Sequence, residues 1–320
     1  MLVDHWIDIH GHFFPPLPPE AQQEIARQLR QACWCIEEPV GWDPAATLAY
    51  MDRTGIQMQM LSYVPPDVAK LREANDYGAR LVREHPGRFG LLAALPTHDP
   101  EACLAEVARA ADELGADGFA VQCLYKDVSL SDGRLEPVWA ELNRRRAVVF
   151  AHPNAYGSAW GRPAALMDVA FQTAHVFADM LYAGVFRRHP DIRFVAAHCG
   201  GALPAVSGRL LLLGSERWIP NPHQVTPTEM RQHLRRLFLD TAATMPTGLG
   251  AALLMTTPDK IVYGSDCGVP CTTDATMDAN IEALLAYEGL TPEQVQAIGR
   301  NALTLFPAAA ARIEAAKSRM

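Results

Sequence analysis

One pattern in the sequence restricts the fold more than any other: eight short β-rich apolar runs, separated by stretches with the periodicity of amphipathic helices. The runs are "HWIDIH" (5–10), "IQMQMLSY" (56–63), "RFGLLAAL" (88–95), "DGFAVQC" (117–123), "AVVFAH" (147–152), "IRFVAAH" (192–198), "LFLDTA" (237–242) and "KIVYGSD" (260–266). Between them, "DPAATLAYMDRTG" offers Asp43 as a cap, Pro44 for the first turn and Gly55 for the far end, and "PEACLAEVARAADELG" stops at Gly115. Strands that alternate with helices of this length build βα units around a parallel sheet. Eight such units favour an α/β fold of the (β/α)8 TIM barrel type over an open doubly wound sheet. No repeat, low-complexity segment or Ser/Gly linker divides residues 1–320, so the expectation is a single domain, with the proline-rich "FFPPLPPE" (13–20) as a rigid connection out of the first strand.

Composition narrows the partners. At 49% hydrophobic and 20% charged, the chain has the apolar material for a large core. A formal charge of -8 with no Lys/Arg block argues against nucleic acid or an anionic membrane, both of which demand clustered positive charge. A small molecule is the expected partner. The N-terminal "MLVDHWIDIH" has no basic segment followed by a long apolar run, and no later stretch is apolar enough to cross a bilayer, so a cytoplasmic location is expected. Seven cysteines, an odd number scattered along the chain, read as reduced thiols rather than a disulfide framework.

In a barrel of this kind the chemistry collects at the C-terminal ends of the strands. The first run leads into His10-Gly11-His12, the fifth ends in "AHPN" with His152, the sixth in "AHCGG" with His198 and the eighth in "GSD" with Asp266. Strand alternation places Asp8, His10 and His12 on one side and Ile7 and Ile9 on the other. Each residue has a plain structural alternative: His152 in a turn before Pro153, His198 as a hydrogen-bonded core histidine, Asp266 as a helix cap. Their joint placement favours a mixed N/O site for a divalent ion such as zinc, with one position open to water or substrate.

Taken together, "DIHGHFFPP", "GWDPAATLAYMDRTGIQMQMLS", "VWAELNRRRAVVFAHPN", "GVFRRHPDIRFVAAHCGGALPAVSGRL", "LDTAA" and "DKIVYGSD" resemble the amidohydrolase superfamily. The resemblance is to its amidohydrolase 2 branch, which contains aminocarboxymuconate-semialdehyde and 6-methylsalicylate decarboxylases, and it covers nearly the whole chain. It implies that His10, His12, His152 and Asp266 ligate one divalent metal ion, most often zinc in relatives, with manganese as the alternative. His198 then stands beside the ion as the proton-transfer group. Relatives with two metals carry a further ligand at the end of the fourth strand, where this chain reads "AVQCLYK" with Lys126 far past the strand, so one ion is expected.

The resemblance points to non-oxidative decarboxylation of a small aromatic or muconate-like carboxylic acid, in which His198 delivers a proton to carbon as carbon dioxide leaves. The alternative is hydrolysis of a small amide, ester or lactone, with Asp266 or His198 as base. A second alternative is a barrel that binds a metal or ligand without turnover. Neutral histidines are needed as ligands, so activity is expected to fall in acid. A decarboxylase must hold a carboxylate, usually with arginine. Arg209 matches a family position that reaches the substrate across a dimer interface, which implies a homodimer; Arg27 and Arg30 are weaker candidates. "GSDCGVPC" departs from the family's aromatic-proline pattern after Asp266, and Gln172-Thr173 replaces glutamate-threonine. Gln172, Trp160 and Tyr156 are therefore the expected substrate-pocket residues. Strand alternation turns Cys199 and Cys267 away from the metal side.

Overall fold

The computed structural model describes residues 2–38, 40–154 and 160–318. Every run predicted from the sequence forms a strand: β1 Trp6–His12, β2 Ile56–Ser62, β3 Phe89–Ala94, β4 Gly118–Gln122, β5 Val148–His152, β6 Arg193–Ala196, β7 Phe238–Asp240 and β8 Ile261–Val262. They pair in that order, each parallel to the next, in one eight-stranded sheet. The sheet curls back on itself. The Ile9 N–H donates to Tyr263 O at 3.0 Å, the Asp266 N–H to His10 O at 3.0 Å and the His12 N–H to Cys267 O at 2.7 Å, which brings the segment after β8 alongside β1. These bonds nearly close a barrel.

The helices between strands start and stop where their sequences say. Asp43 accepts from the N–H groups of Ala45 and Ala46, capping the helix Pro44–Thr54, and Gly55 ends it at φ 93°. Asp99 caps Pro100–Asp112 in the same way. The strands then divide their side chains between two cores. Val148 and Phe150 join Ile7, Ile9, Met58, Val195, Phe238 and Val262 inside the barrel, while Val149 and Ala151 join Phe119, Phe194 and Leu239 in the layer under the helices. Phe306, Ala309 and Ile313 from the C-terminal segment join the interior core. Thr304 O and the Asn301 side chain bond Arg193 and Ile261, where β6 and β8 begin, so the C-terminal segment plugs the end from which the strands start. The other end is left for chemistry. Among the described residues, no helix is long and apolar enough to cross a membrane.

Strict alternation does not hold along β1. Its pairing with β2 is irregular between Asp8 and Gly11. Ile7 and Ile9 pack inside the barrel with Phe150, whose ring lies 4.9 Å from that of His10. Asp8 does not join the histidines: its carboxylate accepts from Gln59 Nε2 at 2.7 Å, Ser265 Oγ at 2.6 Å and the Ser265 N–H at 2.9 Å. Burial pushes the Asp8 pKa up, against these donors, which pull it down. The residue latches β1 to both of its neighbours in the barrel.

Candidate metal centre

Phe150 points inward from β5, so alternation also turns His152, two residues on, into the barrel at its open end. The irregularity in β1 delivers both of its histidines to the same place. Asp266 arrives beyond β8 in a left-handed conformation, φ 62°, which a short polar residue tolerates. His10 Nε2 and His12 Nε2 are 3.1 Å apart, and Asp266 Oδ1 lies 3.2 Å from the first and 3.1 Å from the second. The ligand atoms of His10, His12, His152 and Asp266 all fall within 4.8 Å of one another. In a tetrahedral site with zinc–nitrogen bonds of 2.0–2.1 Å, ligand atoms stand about 3.3 Å apart, close to the observed separations. His152 Nε2 is buried and has no hydrogen-bond partner. An unpartnered imidazole nitrogen aimed among two others and a carboxylate is the donor set that a divalent ion satisfies.

The electrostatics have the same character. Burial opposes charge on His10, but the Asp240 and Asp266 carboxylates outweigh it and carry its pKa up to about 10. Burial lowers the His12 pKa, reinforced by the charges of His10 and His198 and opposed by Asp266. Burial, with the same cationic neighbours, takes His152 well below its ordinary value. Asp266 resists burial through its bonds to His10 and His12, and its pKa falls well below the carboxylate range.

One residue essential to this arrangement is missing from the sequence-based set. Asp240, the last residue of β7 and fully buried, accepts from His10 Nδ1 at 2.9 Å, from the His198 N–H at 2.9 Å and from the Ala242 N–H at 2.9 Å. It fixes the His10 ring with Nε2 toward the other ligands, the role an outer carboxylate plays behind a metal-bound histidine. The inspection of strand ends that identifies His152 and Asp266 points to it too, since "LFLDTA" carries the carboxylate at the end of its strand.

His198 lies just beyond β6, also left-handed at φ 55°, ψ 52°. Its Nδ1 donates to Ala242 O at 3.1 Å, and its ring centroid is 4.9 Å from that of His10 and 5.4 Å from that of His152. The ring is thus held at the edge of the cluster by its backbone and one nitrogen.

The expected substrate residues are placed less centrally. Gln172 Oε1 accepts from the Asn154 N–H at 2.6 Å, tying the helix Ala164–Tyr182 to the loop after His152. Trp160 is 81% exposed, and Arg209 is exposed on the helix Leu203–Leu213; neither belongs to the His10, His12, His152 and Asp266 cluster. Tyr156 lies outside the described residues. Arg27 pairs with Glu24 on an exposed helix, and Arg30 donates to Ile36 O. Lys126 is exposed in the turn after β4, 3.4 Å from His98 Nε2. Cys199 and Cys267 are buried in the layer under the helices, with pKa values pushed up to about 12 by burial, so neither offers a thiolate to the site. Cys271 comes closer, with Sγ 3.8 Å from Asp266 Oδ2, but its thiol is likewise pushed up to about 12 by burial and by Asp266.

Comparison with known proteins shows what the chain as a whole is similar to. The chain is 29% identical to the decarboxylase macB of Penicillium terrestre, over 81% of this chain and 83% of that one. It is 28% identical to the 6-methylsalicylic acid decarboxylase of Penicillium expansum, over 94% and 96%. The crystal structure of a protein described as amidohydrolase II superposes with a TM-score of 0.79 at 27% identity, covering 94% of this chain and 99% of that one. The sequence profile of the amidohydrolase family (Amidohydro_2) matches residues 7–308, and the chain belongs to that family.

Proposed function

We propose that the protein is a metal-dependent, non-oxidative decarboxylase of a small aromatic or muconate-like carboxylic acid. The observation that carries the reading is the convergence of His10, His12, His152 and Asp266, with a buried unpartnered nitrogen among them, in a chain that shares 28–29% identity with named decarboxylases over most of its length. These four residues would hold the ion, zinc in this reading. When bound, the ion polarises substrate oxygens and stabilises negative charge as it develops. The remaining roles fall to side chains. Asp240 keeps Nδ1 of His10 occupied and anchors the backbone of His198. His198, held through Nδ1, presents its other nitrogen for proton transfer to the ring or alkene carbon. The carbon–carboxylate bond breaks, carbon dioxide leaves, and the carbon it left keeps the proton, so one carboxylate plus one proton gives the product with hydrogen in place of the carboxylate and one carbon dioxide.

Arg209 and a second copy of the chain complete the proposal. The exposed arginine shares its helix with the exposed Val206 and Leu212, and the neighbouring helix adds Leu166, Met167 and Phe171. Such an apolar flank suits a homodimer contact, with Arg209 reaching the partner's substrate carboxylate. Seven free thiols suit a reducing, cytoplasmic location, which fractionation of producing cells tests.

The function is tested by carbon dioxide release from hydroxybenzoates and muconate-like acids by metal-loaded protein. One carbon dioxide per acid consumed is expected. His198→Ala should keep the metal and lose turnover by 10²-fold or more, on the order of a general acid's contribution. Hydrolysis of amide, ester or lactone substrates without carbon dioxide release, or full turnover by the His198 variant, contradicts the assignment.

A further inference from the structure

At the end of the barrel where the strands begin, away from the four ligands, a cavity of about 190 Å³ opens among residues at the starts of β6, β7 and β8. Arg193 opens β6, Phe238 opens β7 and Lys260 directly precedes β8; Phe186, Phe194 and Arg236 complete much of the wall, and no Asp or Glu lines it. Arg109, Arg145, Arg187, Arg188 and Arg312 each pair with a carboxylate. The two arginines of the cavity do not. Arg193 donates only to the carbonyl oxygens of Thr304 at 3.2 Å and Arg146 at 3.0 Å, and Arg236 donates to that of Pro190. A guanidinium has five N–H donors, so both retain unused ones. The Lys260 ammonium sits 4.5 Å from the centroid of the Phe238 ring. His233, also in the wall, keeps a buried Nδ1 that no protein group bonds.

We propose that this cavity is a second binding site, for a monocyclic aromatic carboxylate. The guanidinium groups of Arg193 and Arg236 take the carboxylate, and Phe186, Phe194 and Phe238 enclose the ring. Size supports the class: an apolar cavity of about 150 Å³ admits a benzene ring, so the space here holds one ring and its carboxylate and is too small for a nucleotide. Charge supports it as well, because arginine forks match carboxylate oxygens in pairs. The strand β7 joins this site to the metal centre, with Phe238 in the cavity wall and Asp240, two residues along, bonded to His10 and His198. The assignment rests on the cavity alone and stands apart from the proposed activity.

Equilibrium dialysis with labelled benzoate tests it, using the His10→Ala/His12→Ala protein, in which the metal site is destroyed and the cavity untouched. Chelator-stripped parent protein serves in the same assay if the double variant does not fold. Saturable binding of one benzoate per chain is expected, weakened at least tenfold by Arg236→Gln and by Arg193→Gln. Arg236 is exposed and its side chain bonds a single carbonyl, so the Arg236→Gln protein should keep the parent's melting temperature. Benzyl alcohol and inorganic phosphate should each bind at least tenfold more weakly than benzoate. No saturable benzoate binding, or binding indifferent to Arg236→Gln in a folded protein, overturns the site. Phosphate binding as tightly as benzoate overturns the ligand class.

Discussion

His10 carries a proton through neutral pH in the ion-free pocket, since the Asp240 and Asp266 carboxylates overcome its burial and bring its pKa up to about 10. One nitrogen is committed to Asp240, so the proton that an incoming cation must displace is the one on Nε2, between His12 and Asp266. His12 and His152 are shifted the other way and are already neutral, ready to bind metal at pH 7. The sign follows from competition between metal and proton: below about 10 the proton is bound, each unit of falling pH favours it tenfold, and metal affinity weakens accordingly. Between pH 7 and 9 the association constant should rise about tenfold per unit, with one proton released per ion. Titration calorimetry in buffers of different ionisation enthalpy measures both. An affinity flat across this range contradicts the account. At this scale the four clustered residues, His10, His12, His152 and Asp266, are legible in the sequence because each follows or ends an apolar run. Arg209 and Trp160 are not placed by it, because exposure depends on neighbours that no local pattern reports.

At the scale of elements, the agreement between the apolar runs and the strands has a simple cause, namely that parallel strands buried on both faces read as continuous hydrophobic runs. The ends are harder. The sequence carries the sixth and eighth runs to His198 and Asp266, whereas β6 stops at Ala196 and β8 at Val262. Both site residues sit past the strands in left-handed conformations, which hydrophobic periodicity cannot signal. Asp8 fails for a related reason: the irregularity in β1 is a pairing defect between two strands, invisible in either alone. Gly11, at that irregularity, tests its importance. A Cβ there would lie 2.3 Å from Gln59 Cδ, and Gln59 in turn bonds Asp8. Gly11→Ala should cost about 1–3 kcal/mol of stability, the usual range for overpacking, and weaken metal retention. Unchanged denaturant midpoint and metal content would show that β1 does not depend on this contact.

The whole molecule separates two tasks along the barrel axis. The C-terminal segment, through Phe306, Ala309 and Ile313, packs against the end where the strands begin, and the other end carries His152 at the tip of β5 with His198 and Asp266 just past β6 and β8. On one flank, Phe171 and Leu212 are exposed on adjacent helices, with Arg209 beside Leu212. Sedimentation equilibrium should give a mass of twice the 35.1 kDa chain, and Leu212→Glu should return it to the monomer. A monomeric parent contradicts the dimer and removes the proposed part of Arg209. The most direct test of the central claim is metal content per chain by elemental analysis, on protein purified without added metal and compared with the His152→Ala and Asp266→Asn variants. One divalent ion per chain in the parent and almost none in either variant is the predicted result. A folded parent that holds no ion after reconstitution with zinc or manganese, or variants that keep it fully, would contradict the claim that these four residues form a metal site.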